Sequence, residues 1–330
     1  MRPSDLKTVL SACIQARRPV LIKGAPGIGK TDIVFQSAAE AGARVILSHP
    51  VVSDPTDFKG LPGIVNGKAE FLPFGDLREA VETDEPTVFF MDDLGQAPPS
   101  VQAAAMQLLL ARRVNGHMVS DQVTFIAATN RREDRAGVQG MLEPVKSRFA
   151  SILELNVDLD DWVVWALPRM PIELISFIRY RPGLLHDFKA SSDMINTPSP
   201  RTVANVGYLM GAGIPSHLEY EVYAGSAGEG FAAEFCGFLR IFRDLPNPDV
   251  ILMNPDKAEV PKDPATLYAL CGALSRKSSD TTIDRLVRYF NRLPMEFNVL
   301  AMRDSIAQDK NIANTTAAIQ WFTTHRDVLI

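Results

Sequence analysis

Cysteine is scarce in this 330-residue chain: Cys13, Cys236 and Cys271 are widely spaced, and none has a second partner at metal-ligand spacing. So small and odd a number excludes a disulfide-built scaffold and fits a reducing compartment. No stretch approaches the run of about 20 apolar residues that a membrane-spanning helix requires. A surplus of basic residues is also missing. The net charge of −5 weighs against a dedicated nucleic-acid binder, which needs a basic stripe to meet phosphates. The opening residues Met1-Arg2-Pro3-Ser4-Asp5 lack the basic-then-apolar layout of an export signal, so a cytoplasmic location is expected. Internal repeats and low-complexity tracts are absent as well.

What is present is enough apolar material, 46% of residues, for a large core and for two domains. In the first half, short β-branched or aromatic runs alternate with amphipathic stretches. This predicts an α/β domain, a parallel sheet flanked by helices, over residues 1–157. Ser4 is expected to cap a first helix. Strands are predicted at Pro19-Val20-Leu21-Ile22, Arg44-Val45-Ile46-Leu47, Thr87-Val88-Phe89-Phe90-Met91, Val123–Ala128 and Ile152–Leu155. Two departures from simple alternation stand out: an inserted β-ribbon over 53–74, turning at Asn66-Gly67, and a hairpin over 112–122, turning at Asn115-Gly116. From residue 158 the strand signal fades. A helical lid is expected over 158–244, then a proline-rich linker near 245–264 and a helical extension to 330.

The octet Gly24-Ala25-Pro26-Gly27-Ile28-Gly29-Lys30-Thr31, between a predicted strand and a predicted helix, has the Walker A spacing. Its glycines let backbone N–H groups turn toward phosphates, and the helix N-terminus adds its dipole. Gly24 through Asp32 are therefore the expected nucleotide-binding residues, with Lys30 on the outer phosphates and Thr31 on Mg2+. Asp92 and Asp93 close the strand at 87–91, where one carboxylate can hold Mg2+ and the other can activate water. The remaining eye-catching groups have plainer readings. His49 and His117 lack zinc-ligand spacing, Asp158, Asp160 and Asp161 lack the other ligands of a calcium loop, and Phe231, Phe235, Phe238 and Phe242 recur at core-helix spacing.

On these motifs the chain resembles an AAA+ ATPase of the MoxR-like, dynein-related branch over about residues 1–240. The resemblance is carried by Asp92-Asp93-Leu94-Gly95-Gln96-Ala97-Pro98-Pro99-Ser100-Val101-Gln102, by Gly60 after Asp57, by Phe71–Gly75 and by the Arg113–His117 turn. It implies that the nucleotide is ATP, that Asn130, ending Phe125-Ile126-Ala127-Ala128-Thr129, is sensor 1, and that Arg148 in Val145-Lys146-Ser147-Arg148-Phe149 is an arginine finger acting in trans. Arg201, in Pro198-Ser199-Pro200-Arg201-Thr202, would be sensor 2. It further implies a ring, six-membered by expectation, that remodels a protein partner, one carrying a von Willebrand factor A domain being the family's habit. Asp93 departs from the glutamate usual at this position and is one methylene shorter, so slow hydrolysis is expected. Two other classes stay open. One is a nucleic-acid motor whose Arg112, Arg113, Arg131, Arg132 and Arg135 line a pore; the other is a nucleotide-gated scaffold with little turnover.

Overall fold

The alternation along the first half folds as its periods dictate. In the computed structural model, which describes residues 1–134, 140–191 and 193–326, the elements in order are α1 (Pro3–Gln15), β1 (Val20–Lys23), α2 (Lys30–Glu40), β2 (Arg44–Ser48), β3 (Leu61–Val65) and β4 (Lys68–Leu72). They continue with α3 (Gly75–Glu82), β5 (Thr87–Met91), α4 (Pro99–Ala111), β6 (Arg113–Val114), β7 (His117–Met118), β8 (Val123–Thr129), α5 (Glu143–Lys146) and β9 (Ser151–Glu154). Five strands pair in parallel in the order β2-β5-β8-β1-β9.

Both faces of this sheet are buried, as a period of two in a wholly apolar strand requires. Val20, Ile22, Val88, Phe90, Ile126 and Ala128 enter one core with α1 and α2. Leu21, Phe89, Met91, Phe125 and Ala127 enter the opposite core with α3 and α4. Because β5, β8 and β1 are parallel neighbours, the residues following each emerge along one edge of the sheet. Both expected insertions are present as antiparallel hairpins, β3–β4 and β6–β7. Asn66 and Gly67 turn with φ of 49° and 76°, the two positive values that a type I′ turn needs. The hairpins also bond each other: Asn115 Nδ2 donates to the Lys59 carbonyl at 2.8 Å, and His117 Nε2 donates to the Phe71 carbonyl at 3.1 Å.

Ser4 does not cap the first helix. Pro3 already occupies its first turn, and no side chain caps it locally. The role passes to Asp161, whose carboxylate accepts from the Ser4 N–H at 2.7 Å and from the Arg2 guanidinium at 2.5 Å. An anion at a helix N-terminus meets the exposed donors and the dipole in the same way wherever in the chain it comes from. Burial pushes the Asp161 carboxyl up, but the bonds from Arg2 and Ser4 outweigh it and hold its pKa below the usual carboxylate range.

A first compact unit runs from Met1 to Asp161 with a short stretch beginning at Lys189, and the remainder forms a second unit. The second unit carries α6 (Leu159–Ala166), which begins in the first unit's last residues, then α7 (Ile172–Tyr180), α8 (Pro200–Gly211), α9 (Glu219–Ala227) and α10 (Glu229–Arg243). There follow α11 (Pro248–Met253), α12 (Pro264–Ser275), α13 (Ile283–Phe290), α14 (Met295–Gln308) and α15 (Thr316–Thr324). The phenylalanine stripe of α10 is core: Phe177 lies 5.4, 5.0 and 5.6 Å, ring to ring, from Phe231, Phe235 and Phe238.

The expected linker near 245–264 is instead partly helical and contributes Ile251 and Leu252 to a core shared with α12 to α15. Two of its five prolines are helix starts. Pro248 and Pro264 stand directly after Asn247 and Asp263, whose side chains cap α11 and α12, and proline is well accommodated where its missing N–H is not needed. Arg179 and Asp304 form a two-pronged buried pair, with Nη2 to Oδ1 at 2.7 Å and Asp304 2% exposed. No helix among the described residues is long and apolar enough to cross a membrane.

Two stability outcomes follow. Asp304→Ala strands the Arg179 charge and is expected to cost about 3–5 kcal/mol. Urea unfolding followed by tryptophan fluorescence reads this unit directly, since Trp162, Trp165 and Trp321 all lie in it. The stabilisation from Asp161 is fully present above its unfolded-state pKa, near 4, and is lost as pH falls through the lowered folded value. Thermal unfolding by circular dichroism should therefore show a flatter acid limb for Asp161→Asn.

Candidate functional site

The edge where β1, β5 and β8 end carries the chemistry. The loop between β1 and α2 curls through Gly27 and Gly29, with φ of 73° and 93°, conformations that side chains resist. At Gly24 a Cβ would stand 2.7 Å from Ile28 Cδ1 and 3.0 Å from the Leu155 carbonyl oxygen, so a larger residue there would make its neighbours shift. Lys30 opens α2 and is only 7% exposed. Its ammonium donates to the carbonyls of Gly24 at 3.0 Å and Ala25 at 2.9 Å and to Asn130 Oδ1 at 2.6 Å.

The next residue connects to the second strand end. Thr31 Oγ1 donates to Asp92 Oδ2 at 2.7 Å, and the Asp93 N–H donates to Asp92 Oδ1 at 3.1 Å. Asn130, directly after β8, completes the circuit by donating from Nδ2 to Asp93 Oδ1 at 3.3 Å. Lys30, Thr31, Asp92, Asp93 and Asn130 therefore form one connected group, drawn from three strands that are adjacent in the sheet but far apart in sequence. Asp32 stands exposed in the first turn of α2, where its charge suits the helix dipole.

This donor set suits a phosphate chain with Mg2+. The buried ammonium and the free N–H groups of the first turn of α2 favour an anion. The Thr31 hydroxyl and Asp92 carboxylate are adjacent hard oxygens, the ligands a small divalent cation prefers.

Arg148 is not part of the group within its own chain. Its Nη1 donates to the Pro144 carbonyl and, at 3.4 Å, to Ser147 Oγ, while its Nε is buried without a partner among the described residues. Arg201 belongs to the second unit, exposed in the first turn of α8 behind the Ser199–Thr202 capping box. Of the five basic residues of the nucleic-acid reading, two are engaged elsewhere. Arg112 donates to the Ser120 and Val123 carbonyls at 2.7 and 2.9 Å and closes the base of the β6–β7 hairpin, and Arg131 is paired with Asp134 at 3.0 Å. Arg113 and Arg132 are exposed, and Arg135 lies outside the described residues.

One contact at the site had escaped the motif reading. Gln96 Nε2 donates to Asp93 Oδ1 at 2.8 Å. The three-residue spacing between them, within a tight turn, was its only trace in the sequence.

Residues 19–149 match the AAA domain family, dynein-related subfamily. Among solved structures, the chain is similar to the RuvB Holliday junction branch migration motor of Thermotoga maritima, at 15% identity over 82% of this chain and 81% of that one, with a TM-score of 0.40. It is also similar to NtrX from Brucella abortus, at 12% identity over 97% of this chain and 67% of that one, with a TM-score of 0.42. The matched span holds the whole connected group and Arg148; Arg201 lies beyond it.

Lys30→Ala removes the buried ammonium without touching the sheet. It is expected to weaken a fluorescent ATP analogue about ten- to a hundredfold, the loss of charge-assisted hydrogen bonds, as measured by anisotropy, with the circular dichroism spectrum unchanged.

Proposed function

We propose that this chain, whose residues 19–149 are an AAA domain of the dynein-related subfamily, is a ring-forming ATPase that remodels a protein partner, as a MoxR-like chaperone would. The observation that carries the reading is the circuit Thr31–Asp92–Asp93–Asn130–Lys30, which sets a phosphate cradle beside two carboxylates at one sheet edge.

In this reading, residues Gly24 to Asp32 cradle the ATP phosphates, and Lys30 exchanges its loop carbonyls for phosphate oxygens. Thr31 and Asp92 hold Mg2+, which when bound neutralises phosphate charge. Asp93 takes the proton of a water whose oxygen bonds to the terminal phosphorus. As that bond forms, the bond to the bridging oxygen breaks, and ADP and phosphate leave. Asn130 links Lys30 to Asp93, so the same side chain touches the phosphate-binding and proton-accepting groups. Arg148 serves the neighbouring subunit's site in a six-membered ring, where its charge stabilises the transferring phosphoryl group. Arg201 serves as the lid's contact to nucleotide.

The partner-engaging parts are the two hairpins. Ile64 at 82% exposure and Met118 at 56% present apolar side chains to solvent, which suits a protein partner, with a von Willebrand factor A domain as the candidate class. With Arg112 and Arg131 engaged within the chain, less basic surface remains for nucleic acid. The free thiols of Cys13, Cys236 and Cys271 suit the cytoplasm.

Complementation tests the shared site. Arg148→Ala should keep ATP binding and lose turnover by about a thousandfold or more, and Lys30→Ala should be inactive alone. Mixed together, they should recover phosphate release, because a pocket from one subunit meets an arginine from the other. No recovery in rings shown to contain both variants would overturn the role in trans.

A further inference from the structure

Asp93 follows β5 in a left-handed conformation, φ 57°. The turn it begins closes when the Gln96 N–H donates to the Asp93 carbonyl at 2.9 Å. The Gln96 side chain then returns to the same residue, its Nε2 donating to Oδ1 of the carboxylate at 2.8 Å. Asn130 Nδ2 reaches that same oxygen at 3.3 Å. Both donors converge on Oδ1, and Oδ2 accepts no hydrogen bond from any described residue.

The other end of the Gln96 amide makes the contact more telling. Gln96 Oε1 is buried and has no partner among the described residues. A buried acceptor without a donor is unfavourable, and native structures keep few of them. Turning the amide over would set this oxygen against the Asp93 carboxylate, which is worse. The amide is therefore held in place by Asp93, at the cost of its own carbonyl. Asn130 cannot do the same work independently, because its Oδ1 is bound to Lys30 Nζ at 2.6 Å and so follows whatever Lys30 does. Among the described residues, Gln96 is hydrogen-bonded only within its own turn.

We propose that Gln96 is a positioning residue for ATP hydrolysis. It clamps Oδ1 of Asp93 within the turn, so that Oδ2 is the oxygen presented to the attacking water. Asp93 has a short side chain on a turn of unusual backbone geometry, and a second donor fixes which of its two oxygens faces the substrate. The assignment rests on the reading of Asp93 as the proton acceptor.

Gln96→Met keeps the length of the side chain and removes the donor; Gln96→Ala is the second variant, should the first fail to fold. In the full chain, single-turnover ATP hydrolysis should fall about tenfold or more, the loss of a hydrogen bond to a charged group, with the affinity for a non-hydrolysable ATP analogue and the thermal midpoint unchanged. The deciding measurement is the same substitution in an Asp93→Asn background. A residue acting only through Asp93 should add no further loss to the residual rate there.

Unchanged hydrolysis in Gln96→Met overturns the proposal. So does an equal loss in both backgrounds, or a loss of folding in both variants, each of which assigns Gln96 to the fold alone. A wild-type chain that binds ATP and never hydrolyses it overturns the reading of Asp93 itself, and this outcome is recognised without any variant.

Discussion

One side-chain amide holds two opposite charges at the sheet edge. Asn130 accepts from the Lys30 ammonium through its oxygen and donates to the Asp93 carboxylate through its nitrogen. The neutral amide thus bridges the two groups, bonding each through a different atom. A rearrangement of the loop can reach Asp93 by two routes, through this amide and through Thr31 and Asp92.

The sheet makes that arrangement reproducible. Parallel pairing of β1 with β8 and of β8 with β5 aligns their C-terminal ends to within a residue or two, as the register Lys23↔Thr129 and Met91↔Ala127 shows. Side chains on both faces are locked in separate cores, so a one-residue slip would turn every buried residue of a strand to the wrong side. The precision of the site is borrowed from hydrophobic packing two or three residues away.

How much of this was legible in the sequence depended on the separation between partners. The strands, the Asn66-Gly67 and Asn115-Gly116 turns and the Gly24–Thr31 loop are local patterns, and each appears where its local chemistry placed it. The α1 cap was misread because its true acceptor, Asp161, is 157 residues from Ser4; no window on the sequence contains both. In the stretch 245–264, Pro248 and Pro264 stand at helix starts while Pro246, Pro255 and Pro261 stand in loops, a distinction visible only with Asn247 and Asp263 acting as caps. Arg112 and Arg131 read as pore-lining candidates because the carbonyls and carboxylate that engage them are supplied by the folded turns. Gln96 lay in plain view, but its partner is chosen by the left-handed turn at Asp93 rather than by any periodicity.

The two hairpins gain a mechanical meaning from what lies behind one of them. Helix α4 begins six residues after Asp93 and runs directly into β6, and β6–β7 is bonded to the β3–β4 ribbon through Asn115 and His117. Thirteen residues of helix make a rod of about 20 Å. Pivoted at its start, a tilt of about 10° would displace its far end by about 3.5 Å over that length. Such a tilt would carry movement from the turn at Asp93 to the β6–β7 hairpin. Because Asn115 and His117 hold β6–β7 to the Lys59 and Phe71 carbonyls at the base of the β3–β4 ribbon, a movement of one hairpin would be passed to the other.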